Sequence, residues 1–283
     1  MKTILITGST GFIGSNLTSE FIKNYKVIAL LRKKNKKIST LIKNKNILIY
    51  KNFLDLDKKI SKLRIDFVIH CATHYVKKHV ISDLQKLSES NILFGNIILE
   101  NLTKMNAKKF INFSTVWEDY NGAKNSPHNL YAFYKKSFSE MINFYKERHK
   151  KTKFYNLMIA DTFGHHDKRN KIITVLRKNY KKNKVTHIIS KKLEINLINV
   201  KDIIEAVKLI LKNRVKPSTY LLSNNIFNIK KLIDKFNSNN KRKIKTKYLS
   251  NKLLREKIYK HKKMPNWRPK HTSLNEILNV IRQ

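Results

Sequence analysis

Short apolar runs recur along the chain at intervals that suit alternating strands and helices. Residues 2–7 (KTILIT) form a brief β-branched run that predicts a buried strand. From Phe12 to Asn24, Ile13, Leu17, Phe21 and Ile22 fall on one helical face. KVIALLR reads as a second strand, NILIYKN as a third and FVIHCAT as a fourth. Residues 83–105 carry a long helical pattern through Leu84, Leu87, Ile92, Ile98 and Leu102. KKFINFST is the next strand, a helix is expected around 129–149, and KFYNLMIAD comes after it as another strand. Short apolar strands alternating with helices predict an α/β fold, a doubly wound parallel sheet covered on both faces. EINLINV and DIIEAVKLILKN, about 194–213, read as one more strand and helix returning to that sheet. The expected division is a main domain over 1–160 and a smaller lobe over 161–283. Residues 217–283 show little strand signal, so that lobe is expected to be mostly helical.

Glycine is scarce, 6 in 283 residues, yet Gly8, Gly11 and Gly14 stand together in TGSTGFIG. At a strand-to-helix joint this spacing has a mechanical reason. Gly8 permits the tight turn, Gly11 lets backbone approach a pyrophosphate, and Gly14 lets the helix pack close to the strand. The segment Gly8, Ser9, Thr10, Gly11, Phe12, Ile13 and Gly14 is thus the expected dinucleotide loop of a Rossmann-type domain. An acid after the second strand would bind an adenosine ribose, whereas a base accommodates its 2′-phosphate. Here the strand ends in Arg32-Lys33-Lys34, which favours NADP(H) over NAD(H), with Arg32 on the phosphate.

LYAFYKKS places Tyr131 and Lys135 four apart, on one face of a helix. A phenol has a reference pKa of about 10 and is a poor acid–base catalyst at neutral pH. An ammonium one turn away favours the phenolate and is expected to lower that value. Tyr134 has no Lys four residues on, since position 138 is Phe.

TGSTGFIG resembles the loop of the extended short-chain dehydrogenase/reductase family, the NAD-dependent epimerases and dehydratases. The resemblance implies that Thr115, at the end of FINFST, is the catalytic hydroxyl, with Ser114 beside it on the substrate side. It implies Tyr131 as proton donor and Lys135 as the group that binds the nicotinamide ribose. FLDLD puts Asp55 and Leu56 at the adenine edge. HCAT lines the cofactor with Cys71, Ala72 and Thr73, and Asn91 stands where the family has a helix-kinking Asn. HCATHY, TFGHHDKRNKI and MPNWRPKHTSL look most like the nucleotide-deoxysugar 4-ketoreductases, such as the CDP-abequose and paratose synthases. This likeness implies reduction of the 4-keto group of a nucleotide-linked deoxyhexose in surface-polysaccharide biosynthesis. Arg169, Lys171 and Arg177 are the expected diphosphate contacts. The alternatives are a 4-epimerase using the same triad, or a non-catalytic cofactor- or nucleic-acid-binding protein on the same scaffold. In the 4,6-dehydratases an Asp-Glu pair comes directly after the hydroxyl residue, but here Val116 and Trp117 intervene before Glu118 and Asp119. Ile195 stands where many relatives have an Arg that contacts the nucleotide.

Charge changes this picture little. Lys plus Arg is 61 against 19 acids, a formal net charge of +42. Such a field attracts polyanions. The excess is spread along the chain, without zinc-finger spacing or a detached basic tail, so no nucleic-acid partner is expected. The single Cys71 excludes an intrachain disulfide, and His165, His166 and Asp167 read as part of a substrate loop with no metal. No apolar stretch reaches the roughly 20 residues a bilayer span needs, so a cytoplasmic protein without membrane insertion is expected. The helical patterns at 83–105 and 129–149 allow a homodimer.

Overall fold

The computed structural model describes residues 1–223 and 226–283. Its first half runs β1 (Thr3–Thr7), α1 (Phe12–Phe21), β2 (Lys26–Leu31), α2 (Lys36–Leu41), β3 (Ile47–Ile49), α3 (Phe53–Ile60) and β4 (Phe67–His70). Then come α4 (Leu84–Ser88), α5 (Phe94–Glu100), β5 (Lys109–Thr115), α6 (Leu130–Arg148) and β6 (Lys153–Ile159). The second half comprises β7 (Asp161–Phe163), α7 (Ile172–Lys181), β8 (Thr186–Ile188), β9 (Leu193–Asn199), α8 (Val200–Leu211) and β10 (Thr219–Leu222). It ends with β11 (Ile226–Asn228), α9 (Ile229–Ser238), β12 (Thr246–Tyr248), β13 (Leu254–Arg255) and α10 (Leu274–Arg282).

Seven parallel strands form the main sheet in the order β10-β6-β5-β4-β1-β2-β3. Successive side chains of a strand point to opposite faces, so an unbroken apolar strand feeds two cores. Ile4 and Ile6 join one with Leu17 and Phe21 of α1 and Ile203, Val207 and Ile210 of α8. Leu5 joins the other with Leu56 and Ile60 of α3, Ile98 and Leu99 of α5, and Phe138 and Ile142 of α6. The order reverses between β1 and β4, and the crevice beyond their C-terminal ends is where open α/β sheets bind ligands.

Two expectations need correction. Leu193–Asn199 does not return to the main sheet. It pairs with β7, β11 and β13 in a second, four-stranded sheet, while Thr219–Leu222 takes the outer place beside β6. TYLL is too short for its period to distinguish strand from helix, and β9 is buried on one half of its length only. Its helix, α8, does cover the main sheet. The long helical pattern at 83–105 is also broken. A π-helical turn, Glu89–Leu93, separates α4 from α5. A third core, with Phe163, Leu176, Leu197, Ile233, Phe236 and Ile281, gathers α7, α9 and α10 around the second sheet.

Candidate active site

The glycine loop leaves β1 at the reversal of strand order. Gly8 has a φ of +66°, and a Cβ there would meet Ala72 N at 2.6 Å and Cys71 C at 2.7 Å. A Cβ on Gly14 would stand 2.2 Å from Gly8 O. These two glycines are required by backbone packed on backbone. Gly11 differs: a Cβ there would meet only Gly8 O, at 3.2 Å, and otherwise project into open space. That space is part of a cavity of about 1320 Å³ running along the C-terminal ends of the strands. Its shape at Gly11, a backbone cradle that a methyl would fill, and the amide end of α1 behind it suit a pyrophosphate.

The same cavity brings together most of the residues expected from the sequence. Gly8, Thr10, Gly11, Phe12, Ile13, Gly14, Arg32, Cys71, Ala72 and Thr73 line one part of it. Ser114, Thr115, Tyr131, Lys135, Arg169 and Lys171 line the rest. Thr115 is at the end of β5, where its Oγ1 accepts from Trp117 N at 3.3 Å. Asn129 caps α6 by accepting from Ala132 N at 2.9 Å, which fixes the start of the helix that carries Tyr131 and Lys135. Lys135 is buried and reaches the cavity wall.

Five expected residues stand elsewhere. Ser9 is buried, and its hydroxyl donates to Ile6 O at 2.9 Å, so it braces the turn. Asp55 lies in the first turn of α3, where its carboxylate accepts from Lys51 N and Lys59 Nζ, both at 2.8 Å; Leu56 points into the core. Asn52 and Phe53, at the start of α3, line the cavity in their place, because the chain turns away from the cavity once the helix begins. Asn91 is buried within the π-helical turn. Its Oδ1 accepts from Thr73 Oγ1 and His74 N, both at 2.8 Å, and its Nδ2 donates to His74 O at 3.0 Å. It therefore holds the loop that lines the cavity. Arg177 sits on the side of α7 away from the cavity and donates to Asp167 O. Arg169 and Lys171 do reach the cavity, but each has an internal acid. Arg169 binds Asp167 and Thr162 and stacks on Phe12 at 4.3 Å; Lys171 pairs with Asp161 at 2.6 Å over the rings of Tyr75 and Trp117.

Lys33, Lys34 and Asn35 beyond β2, and Tyr75, Trp117 and Asp161 at the opposite end, also line the cavity. The basic run after β2 is visible in the sequence; no spacing rule marks Tyr75 or Trp117, which meet through the fold at a ring separation of 6.2 Å.

Electrostatics at Tyr131 run opposite to expectation. Burial pushes its phenol above the ordinary value, contact with the Thr73 hydroxyl opposes the rise, and the nearby Glu118 adds to it. The Lys135 ammonium is itself pulled down by burial. A phenol held protonated is poised to give a proton rather than take one. Cys71, its thiol pushed up by burial, is no nucleophile. Among the described residues no group of three or more His, Cys, Asp or Glu is placed to hold a metal ion. No helix among them is long and apolar enough to cross a membrane.

Comparison with known proteins agrees with this geometry. The model of the NAD dependent epimerase/dehydratase family matches residues 4–229. The CDP-abequose synthase of Salmonella muenchen is 29% identical over 226 residues, 77% of this chain and 73% of that protein. The Yersinia pseudotuberculosis CDP-abequose synthase is 27% identical over 212 residues, 74% of this chain and 73% of that one. Among solved structures, UDP-glucuronic acid 4-epimerase from Bacillus cereus in complex with NAD superposes with a TM-score of 0.79 at 20% identity, covering 99% of each chain. With a glycine cradle and a Tyr–Lys helix on one cavity, and a family match across most of its length, the chain belongs to the NAD dependent epimerase/dehydratase family.

Proposed function

We propose that this protein uses NADPH to reduce the 4-keto group of a nucleotide-linked deoxyhexose. The observation that carries the reading is the convergence of Thr115, Tyr131 and Lys135 on the cavity that Gly11 lines. The similarity to two CDP-abequose synthases supports this substrate class. A nicotinamide cofactor bound along the glycine loop supplies the hydride. Arg32, with Lys33 and Lys34 beside it at the end of β2, would receive the 2′-phosphate of the cofactor. Lys135 holds the ribose next to the reacting carbon. Thr115 hydrogen-bonds the substrate carbonyl and orients it toward Tyr131, whose protonated phenol gives its proton to the oxygen as the alkoxide forms. Lys171 and Arg169 face the diphosphate, and Tyr75 and Trp117 pack on the sugar.

The test is a panel of nucleotide-linked 4-ketodeoxyhexoses with NADPH or NADH, run on wild type and Tyr131→Phe. One NADPH consumed per product is expected, and Tyr131→Phe should lower turnover roughly 10²- to 10⁴-fold, the usual worth of a positioned general acid. Undiminished activity in Tyr131→Phe removes it from this role. Turnover of a nucleotide sugar without added reductant, on a tightly retained oxidised cofactor, would instead identify an epimerase.

A further inference from the structure

Two acids line the cavity among the described residues, and they stand at opposite ends. Glu89 is at the cofactor end, on the turn before Phe94, whose ring stacks on Tyr50 beyond β3. Asp161 is at the reacting end. Thr115 is paired in register with Ile159, the last residue of β6, and Asp161 opens β7 two residues on. From the other side, Tyr75 meets the ring of Tyr131 edge-on at 5.0 Å. The Lys171 ammonium bridges the two sides. It lies 5.2 Å from the centres of both the Tyr75 and Trp117 rings and 2.6 Å from Asp161 Oδ1. The Asp161–Lys171 pair therefore borders the place where a sugar would present its carbonyl to Thr115 and Tyr131.

The charges at this end are already matched. Its cations are Lys135, Arg169 and Lys171. Arg169 donates to the fully buried Asp167 from Nε at 2.9 Å and from Nη2 at 2.8 Å, and to Thr162 O at 2.9 Å. Lys171 is taken by Asp161. Lys135 is the cation nearest the Tyr131 helix turn, where the ribose is proposed to bind. Glu256, another acid near Asp161, is pushed up to about 7 by burial and does not line the cavity. The rest of the wall is apolar, with Tyr75, Phe113, Val116, Trp117, Ile159 and Ala160. A carboxylate brought in on the sugar would lose water here, find no free cation and stand beside Asp161. An uncharged sugar pays neither penalty.

We infer that Asp161 is a specificity residue, which admits uncharged hexoses and rejects hexuronates, the sugars with a carboxylate at C6. C6 is two bonds from the C4 carbonyl, so a charge there must lie close to the groups that hold that carbonyl. The inference rests on the nucleotide-sugar function proposed above and narrows its substrate class. Asp161 supplies the repulsion, and Lys171 limits it. Removing one charge or the other should move the selectivity in opposite directions.

Calorimetric binding of matched glucose and glucuronate pairs, linked to UDP, CDP or dTDP, tests this on wild type, Asp161→Asn and Lys171→Met. The two sugars of a pair differ at C6 alone, so their affinity ratio isolates the charge. Wild type should bind the glucose member about tenfold tighter or more. Asp161→Asn keeps the size of the side chain and an acceptor for Lys171 but removes the charge, and should cut that ratio about tenfold. Lys171→Met should widen it. A wild type that binds glucuronate as tightly as glucose overturns the inference, as does an Asp161→Asn protein with the wild-type ratio. Should Asp161→Asn not fold, a Lys171→Met protein with an unmoved ratio overturns it equally. Binding of none of the six nucleotide sugars would reject the proposed function and this inference together. A ratio that ignores both substitutions, in a protein that still reduces a nucleotide-linked ketosugar, rejects the inference alone.

Discussion

Gly11 and Gly14 are three residues apart in one loop, yet alanine at each should fail for a different reason. At Gly11 the backbone sits at φ −75° and ψ 171°, a conformation any residue adopts. Fixing it with alanine gains about 0.4–1 kcal/mol from the unfolded chain. Against this, the new methyl must ease away from Gly8 O at 3.2 Å, and alanine is a poorer N-cap than glycine for α1. The sum stays within about 1 kcal/mol, which for a chain of this size moves Tm by roughly 2–4 °C. At Gly14 the methyl would stand 2.2 Å from Gly8 O, 2.7 Å from Gly8 C and 3.1 Å from Ser9 Cα, all of them backbone. The joint between β1 and α1 must open, so the cost exceeds the roughly 1–3 kcal/mol of ordinary overpacking.

The assay is thermal unfolding without ligand, then titration with NADPH and NADH. Gly14→Ala should lower Tm in the ligand-free protein by roughly 5 °C or more. Gly11→Ala should unfold near the wild-type temperature but lose cofactor. Its methyl occupies the cradle and lengthens charge-assisted bonds worth about 1.5–3 kcal/mol each. Losing one weakens binding about 10- to 100-fold. A Gly11→Ala protein that binds either cofactor as tightly as wild type would refute the placement of the pyrophosphate against this residue.

Other perturbations test the frame around the site. Arg32→Glu should reverse the preference from NADPH to NADH in initial-rate measurements, because it exchanges a phosphate partner for a ribose partner at the end of β2. Asp202 is buried in α8 and accepts from Lys270 N at 2.7 Å, His271 N at 2.9 Å and Thr272 Oγ1 at 2.5 Å. Its replacement by Ala strips a charged acceptor from three donors and should cost about 3 kcal/mol, or roughly 6–12 °C in Tm. Glu256 is pushed up to about 7 by burial near Asp161, while its unfolded value is close to 4.5. The folded state therefore holds the extra proton between these limits, and stability contributed by this group falls as pH rises from about 4.5 to 7. Glu256→Gln should flatten the wild-type decline in Tm between pH 5 and 8. Phe133 and Phe144 are more than half exposed on α6, and replacing both by Ser should turn a dimer into a monomer in sedimentation if this face joins two copies.

Much of this architecture is legible in the sequence because its signals are local. The parallel strands announce themselves through unbroken apolar runs such as ILIT and FINFST, and the glycine loop through a composition contrast no other segment shares. Direction is what the sequence hides. In KNFLDLDKK the helix begins at Phe53, so the capping Asn52 and Phe53 face the cavity while Asp55 is turned away one residue pair later. Asn91 matches a cofactor contact by position, but its amide is spent on the backbone of a loop 17 residues upstream, a pairing created only by the tertiary fold. Arg177 shares its charge with Arg169 but lies on another side of the loop. TYLL cannot be told from a helix fragment by its period, so the seventh strand of the sheet is not where the longer apolar run EINLINV suggests.

The scarcity of acids makes their placement informative. With 19 acids against 61 cations, an exposed carboxylate has many neutralising neighbours and carries little structural meaning. Asp167, Asp202, Glu118 and Asp119 are instead among the most buried polar residues in the protein. Asp167 fixes its own loop, and the other three join segments that the chain alone does not bring together. Asp167 folds the loop of Arg169 back on itself. Asp202 fastens residues 270–272 to α8. Asp119 ties the turn after β5 to His261. Glu118 packs the same turn against α6, beside Lys135. The chain thus keeps specific pairing inside and a diffuse excess of lysine outside, a field that would steer the anionic nucleotide sugar proposed above without any docking patch.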